Sequence, residues 1–388
     1  MPAFSREERQ LLSDSVEDYL ADRHPAGHAV GPSRPEGNGV GRGWADYARL
    51  GWLGLALPEA VGGSGGLTEA AIVLAAAGKV LAQEPLIPTL ILGAGAIARV
   101  GTEGQRSLLA DVVAGERVLA FCHTEPDAGY DRSHVNALAG HDGDGYSISG
   151  DKAFAIGAHA ADTLVVSARI GDGAGPVGLF LLPADAAGLE RITAPCLDGR
   201  LGAAVRMRDV PAGGDALLGG VPVDRLGEID RLLDRGTLAV CAEAVGAMSA
   251  AAAITTQYIK SREQFGRPLA EFQVLQHRVV DMHLMGEECR AMVHAVLEAT
   301  DRAADDDAGT AVAIWRAKVK VAQASRFVGG QGIQLHGGMG MTDDMAIGHY
   351  YKRLAVCEAM FGDADWHLDR LAAAEGASTG ARRELEVA

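Results

Sequence analysis

Apolar residues recur at two different spacings along the chain, and the switches between them mark its organisation. Leu11, Leu12, Val16, Tyr19 and Leu20 fall at helical spacing, and Ser5 with Glu8 forms a capping box, which predicts a helix over 5–24. A Gly- and Pro-rich stretch, 25–43, reads as loop. Helical spacing returns at 44–50, 67–82, 87–100 and 103–114. From about 118 to 215 the pattern becomes short β-branched or aromatic runs between Gly and Asp turns: Val118–Cys122, Tyr146–Ser149, Thr163–Arg169, Val177–Leu182 and Ala203–Arg208. Helical period then resumes, with long helices predicted over 227–261, 270–302, 309–333 and 343–373. The tail from Glu375 offers little core material and is expected to fray.

Helices, then strands, then helices argue against a doubly wound parallel sheet, which needs the two interleaved. The expected fold is α+β and multidomain. It comprises an N-terminal helical domain (1–117), a middle β-barrel or sandwich (118–223) and an antiparallel four-helix bundle (224–388).

Composition narrows the function. The chain has 388 residues, with 35 Lys and Arg against 51 Asp and Glu, a net charge of −16. That balance argues against nucleic acid as a partner, because such binders carry a basic footprint. Five scattered cysteines without a C-x-x-C suggest neither a disulfide framework nor a metal site, and a reducing cytoplasm fits them. No uncharged apolar run of 18 residues is seen and the N-terminus lacks an apolar core region, so neither a membrane span nor a signal peptide is expected.

Four motifs bear on chemistry. Gly93-Ala-Gly95-Ala-Ile-Ala98 matches a dinucleotide fingerprint, but its flanks read as helix, so close helix packing is the expected role. His123-Thr-Glu-Pro-Asp-Ala-Gly-Tyr-Asp131 follows a strand, and its turn can offer backbone N–H groups to a polar ligand edge. Arg262, Phe265, Arg267 and Gln273 cluster where one long helix stops at Gly266 and Pro268. Guanidinium groups suit phosphates there, and a ring suits a cofactor. Gln331–Thr342 carries four glycines, more than a helix cap requires, which permits close backbone approach to a ligand.

Taken together, these segments resemble the acyl-CoA dehydrogenase family of flavoproteins over nearly the whole length. Leu53–Glu59 with Gly62-Gly63 looks like the family's N-terminal motif. Thr124–Gly129 looks like its T-E-P-x-A-G signature, and Gly150-Asp-Lys152 like its G-x-K. Arg262–Gly266 with Phe272-Gln273 resembles R-x-x-F-G…x-Q, and Gln334–Gly338 resembles Q-x-x-G-G. The resemblance implies FAD as cofactor. It assigns Phe121, His123, Thr124 and Phe154 to the isoalloxazine region, and Arg262, Phe265, Gln273, Gln334 and Gly338 to a flavin site shared with a neighbouring subunit. It implies an acyl-CoA thioester as substrate, near Tyr130, Asp234, Arg235 and Gly362, with an electron-transfer acceptor and a homo- or hetero-oligomer of related chains.

Several positions depart from the pattern. Tyr130 stands where the family has Ser, and Ile156 where a Thr hydroxyl lies near flavin N5. The family's proton-abstracting Glu is replaced by Gly362, and the alternative site on the first bundle helix is Gly236. Without a base roughly 10²–10⁴ in rate is lost. Asp363, Asp234, Glu358 and Glu243 are the nearby carboxylates, with Asp363 the expected substitute. Phe361–His367 resembles the small, base-lacking subunits of acyl-CoA dehydrogenases, such as that of pimeloyl-CoA dehydrogenase. The expected activity is therefore FAD-dependent α,β-dehydrogenation of an acyl-CoA, by one subunit of a larger enzyme or by the chain alone. The alternatives are a non-catalytic partner subunit and a flavoenzyme of this fold with different chemistry, desulfination or oxidase.

Overall fold

A computed structural model describes residues 4–23, 40–41, 43–303 and 308–387. The predicted loop 25–43 therefore lies almost wholly outside the described residues. The chain divides into two compact units, one of Met1–Arg9, Gly31–Ala70 and Gln83–Gly236, the other of Gln10–Val30, Ala71–Ala82 and Thr237–Ala388.

Helices come first along the chain: α1 (Arg6–Arg23), α2 (Trp44–Arg49), α3 (Leu67–Lys79), α4 (Ala94–Val100), α5 (Glu103–Arg106) and α6 (Leu108–Val113). The capping box at α1 forms in both directions, Ser5 N to Glu8 Oε2 at 2.7 Å and Glu8 N to Ser5 Oγ at 3.2 Å. The segment Ile87–Gly93 before α4 is wound as a π-helix, and Ala94 N bonds back to Thr89 O. Pro88, which has no N–H, sits in its first turn. Gly93 and Gly95 lie inside this helical run, and a Cβ on Gly93 would stand 2.6 Å from Leu119 Cβ. The fingerprint match is thus helix packing, as expected.

Seven strands form one sheet in the first unit: β1 (Leu119–Cys122), β2 (Leu138–Asp142), β3 (Gly145–Ile156), β4 (Thr163–Ile170), β5 (Val177–Pro183), β6 (Leu189–Pro195) and β7 (Leu201–Ala212). β4 pairs in parallel with β1 and β2 and antiparallel with β5. β2, β3, β7 and β6 continue as antiparallel neighbours. Alternate residues supply the core, among them Ala120 and Cys122, Leu164 and Val166, Phe180 and Leu182, Val205 and Met207. Gly150, at φ +146°, marks a register shift in the β3–β7 pairing, and a Cβ there would meet Ala137 Cα at 2.6 Å. This bulge explains the glycine of the G-x-K motif, and two residues later Lys152 is buried.

The bundle is built from α7 (Leu226–Ser261), a hairpin of β8 (Glu263–Gln264) and β9 (Arg267–Pro268), then α8 (Gln273–Arg302), α9 (Ala308–His336), α10 (Ala346–Ala359) and α11 (Ala364–Val387). By length and composition α7 could cross a membrane, contrary to the expectation that no segment is apolar enough. However, 78% of its apolar window is buried inside the fold, as in the core helix of a bundle. In the second unit α9 packs against α8, α10 and α11. Arg353 of α10 is fully buried and pairs with Glu243 of α7 at 2.6 Å.

Two expectations for the C-terminus are corrected. The helix predicted over 343–373 is two helices, α10 and α11, because Phe361 (φ +61°) and Gly362 (φ +112°) leave the right-handed helical region. The tail predicted to fray continues α11 to Val387, through a run rich in the helix formers Ala, Arg and Glu.

Candidate functional site

The turn after β1 exposes Thr124 between neighbours that are buried: Phe121, Cys122, His123 and Glu125. Beneath it, Lys152 Nζ donates to Glu125 Oε1 at 2.6 Å, Ser167 Oγ at 3.0 Å and His123 O at 3.3 Å. Glu125 also accepts from the backbone N–H groups of Asn136 (2.7 Å) and Ala137 (3.0 Å). Burial works against its ionisation, but Lys152 and these donors outweigh it and lower its pKa. The His123 imidazole, which the resemblance assigns to the isoalloxazine region, is buried and turned inward. Nδ1 lies 2.9 Å from Ser167 Oγ and Nε2 3.0 Å from Arg132 O. Burial, helped by the Lys152 charge, lowers the His123 pKa to about 4. A carbonyl only accepts, so neutral His123 carries its proton on Nε2, and Ser167, accepting from Lys152, donates to Nδ1.

Elsewhere in this unit, Phe154 on β3 is exposed and Tyr130 half-buried. Asp234, expected near the substrate, is held by Arg132 Nη1 at 2.8 Å with both side chains largely covered, and Asp230 joins them at 3.3 Å. Its neighbour Arg235 is half-buried.

In the bundle unit a cleft of about 630 Å³ is lined by Tyr258, Arg262, Arg278, Gln334, His336 and Gly338, among others. The structure thus brings Arg262, Gln334 and Gly338 together. Tyr258 stacks on His336 with ring centroids 4.2 Å apart, closing one wall. A Cβ added at Gly338 would meet nothing within 4 Å, so this wall stays open to a ligand backbone. Guanidinium and amide donors over a glycine wall fit the phosphate-bearing part of a dinucleotide. Phe265 and Gln273 do not line the cleft. Phe265 stands 90% exposed on the β8–β9 hairpin, edge-on to Phe272, and Gln273 opens α8, exposed.

Gly362 is buried, and a Cβ built on it would lie 2.3 Å from Trp366 Cε3 and 3.0 Å from His367 Nε2. The position is therefore filled by α11. Asp363 Oδ1 accepts from Trp366 N at 2.9 Å, capping that helix. Glu358 is paired with Arg326 and Glu243 with Arg353. Fully buried Lys318 donates to Cys357 O (2.5 Å) and Met360 O (2.9 Å), which fixes the end of α10 just before this turn. Sequence reasoning missed Arg132, Lys318 and Trp366. Glu125 and Lys152 stand in sequence only as letters of two motifs, and their pairing follows from tertiary placement.

Comparison with known proteins follows the same order along the chain. The acyl-CoA dehydrogenase N-terminal domain matches residues 6–116, the middle domain 120–205 and the C-terminal domain 228–375. "Probable acyl-CoA dehydrogenase YngJ" of Bacillus subtilis is 29% identical over 94% of this chain and 96% of its own. Acyl-CoA dehydrogenase FadE12 of Mycobacterium tuberculosis is 30% identical over 88% of this chain and 89% of its own. The solved structure of a variant of the Tcur3481-Tcur3483 steroid ACAD superposes with a TM-score of 0.83 at 34% identity, covering 96% of this chain and 99% of that one.

Proposed function

The chain belongs to the acyl-CoA dehydrogenase family, and we propose that it is one subunit of an FAD-dependent enzyme whose proton-abstracting carboxylate is supplied by a companion subunit. FAD is the family's cofactor, and the cleft at Arg262, Gln334 and Gly338 suits its phosphates. The chemistry FAD supplies is acceptance of the hydride that leaves the β-carbon of an acyl-CoA. In this reading Thr124 presents its polar groups to the flavin ring, Phe154 covers it, and Arg262 pairs with the phosphates of a neighbouring chain's flavin. Phe265 and Gln273 reach a neighbouring chain's flavin. Tyr130 and Arg235 lie toward the thioester, and the backbone N–H of Gly362 polarises its carbonyl.

One observation carries the choice of subunit. Each of the four carboxylates named from the sequence already has a partner: Asp234 with Arg132, Glu243 with Arg353, Glu358 with Arg326, and Asp363 with the first turn of α11. Two further features support an assembly. Val280 and Leu284 of α8 are more than half exposed, and the similar solved structure is named for a pair of chains. An electron-transfer acceptor would reoxidise the flavin.

Asp363→Asn tests this reading directly. Asn caps a helix about as well as Asp, so stability should change by only a few tenths of a kcal/mol. Anaerobic flavin reduction by acyl-CoA in the assembled enzyme is expected to stay within about twofold of wild type. A fall of roughly 10² or more would return the base to Asp363.

A further inference from the structure

Thr124 is held from both sides by groups that do not themselves face solvent. The carbonyl before it, His123 O, accepts from Lys152 Nζ at 3.3 Å, and its own carbonyl accepts from Ala153 N at 2.8 Å. The side chain after it, Glu125, receives Lys152 at 2.6 Å and the N–H groups of Asn136 and Ala137. The pair is sealed, with Lys152 0% and Glu125 4% exposed. Stability alone is a poor reason for such a pair, because well-packed apolar residues often serve a fold as well or better. Direction is a better reason. One ammonium placed among three acceptors ties the turn after β1 to β3, through Lys152 itself, and to β4, through Ser167. Two of those acceptors belong to the residues flanking Thr124.

We propose that the buried Glu125–Lys152 pair is the positioning element of the flavin-contacting turn, fixing the backbone on both sides of Thr124 so that its polar groups meet the ring in one geometry. This rests on the reading of Thr124 as a flavin contact. Lys152 acts through the turn and touches neither flavin nor thioester. Ser167 and His123 extend the same hydrogen-bonded chain to Arg132 O, which anchors the far end of the loop.

The test compares fold and flavin in the flavin-loaded assembly. Lys152→Met and Glu125→Gln are combined, so that no unpaired charge is left buried. The double variant is expected to keep a thermal midpoint near wild type while its FAD dissociation constant rises about tenfold or more. Thr124→Val alone is expected to weaken FAD comparably, and to add little in the double background, because an unpositioned Thr124 has little left to lose. FAD affinity within about twofold of wild type in the double variant, with Thr124→Val still harmful, would overturn the positioning role alone. No effect of Thr124→Val would overturn the flavin reading of Thr124 and the proposal with it. If the double variant does not fold, Glu125→Gln decides alone, read below its own thermal midpoint because it leaves the Lys152 charge buried and turns one carboxylate acceptor into a donor. Weakened FAD supports the proposal, and unchanged FAD overturns it.

Discussion

Gly362→Glu is expected to destabilise the bundle unit by roughly 2–4 kcal/mol and to create no dehydrogenase activity in the chain alone. Read from sequence, position 362 is an empty place where the family's base could be restored. The structure closes it in two ways. The backbone there has φ +112°, which side chains other than glycine's rarely adopt. The first side-chain atom would meet the Trp366 ring at 2.3 Å and 2.8 Å. Arg370 lies over the Trp366 ring at 4.8 Å and over Trp315 at 3.9 Å, so moving Trp366 aside would also break this stack. Gly362→Ala should show most of the same loss without any charge. Thermal unfolding and anaerobic flavin reduction of Gly362→Glu check both parts. A wild-type midpoint together with reduction by acyl-CoA would show that the site is merely vacant.

The second large effect is on acid stability. His123 has a folded pKa of about 4, below its ordinary value of 6.5, because burial and Lys152 oppose its charge. As pH falls below 6.5 the unfolded chain takes up this proton while the folded one does not. Stability is therefore full above about pH 6.5, falls through the window to pH 4, and loses about 3 kcal/mol across it from this group. Protonation would also put a donor on Nδ1, reversing the bond with Ser167. Urea unfolding at pH 7 and pH 4.5, for wild type and His123→Gln, isolates the contribution. The variant should lose less stability than wild type between the two pH values, and equal losses would exclude His123 as the source.

Much of the architecture was legible because it depends on local period. Leu164 with Val166 and Phe180 with Leu182 alternate as a half-buried sheet requires, and the capping box at Ser5 and Glu8 forms as read. β2 and β6 were not read, because their side chains are mostly half-buried or exposed and show no apolar alternation. The break between α10 and α11 was missed because one glycine within a helical period does not announce two positive φ angles. The candidate site was legible only where a motif is contiguous, as at Arg262 and Gln334. The pairs that hold two of the candidate carboxylates join residues far apart in sequence, Arg132 with Asp234 and Arg353 with Glu243. Such pairing follows from tertiary placement, and no spacing rule reports it.

If this chain helps form an FAD site but does not carry its own base, flavin reduction depends on a second chain. The most direct measurement is anaerobic bleaching of the flavin band by a panel of acyl-CoAs, on the purified flavin-loaded chain alone and after mixing with a family member that retains the Glu and is encoded beside it. No bleaching alone and bleaching in the mixture is the predicted result. Full bleaching by the chain alone, at a rate unchanged by the second chain, would contradict it.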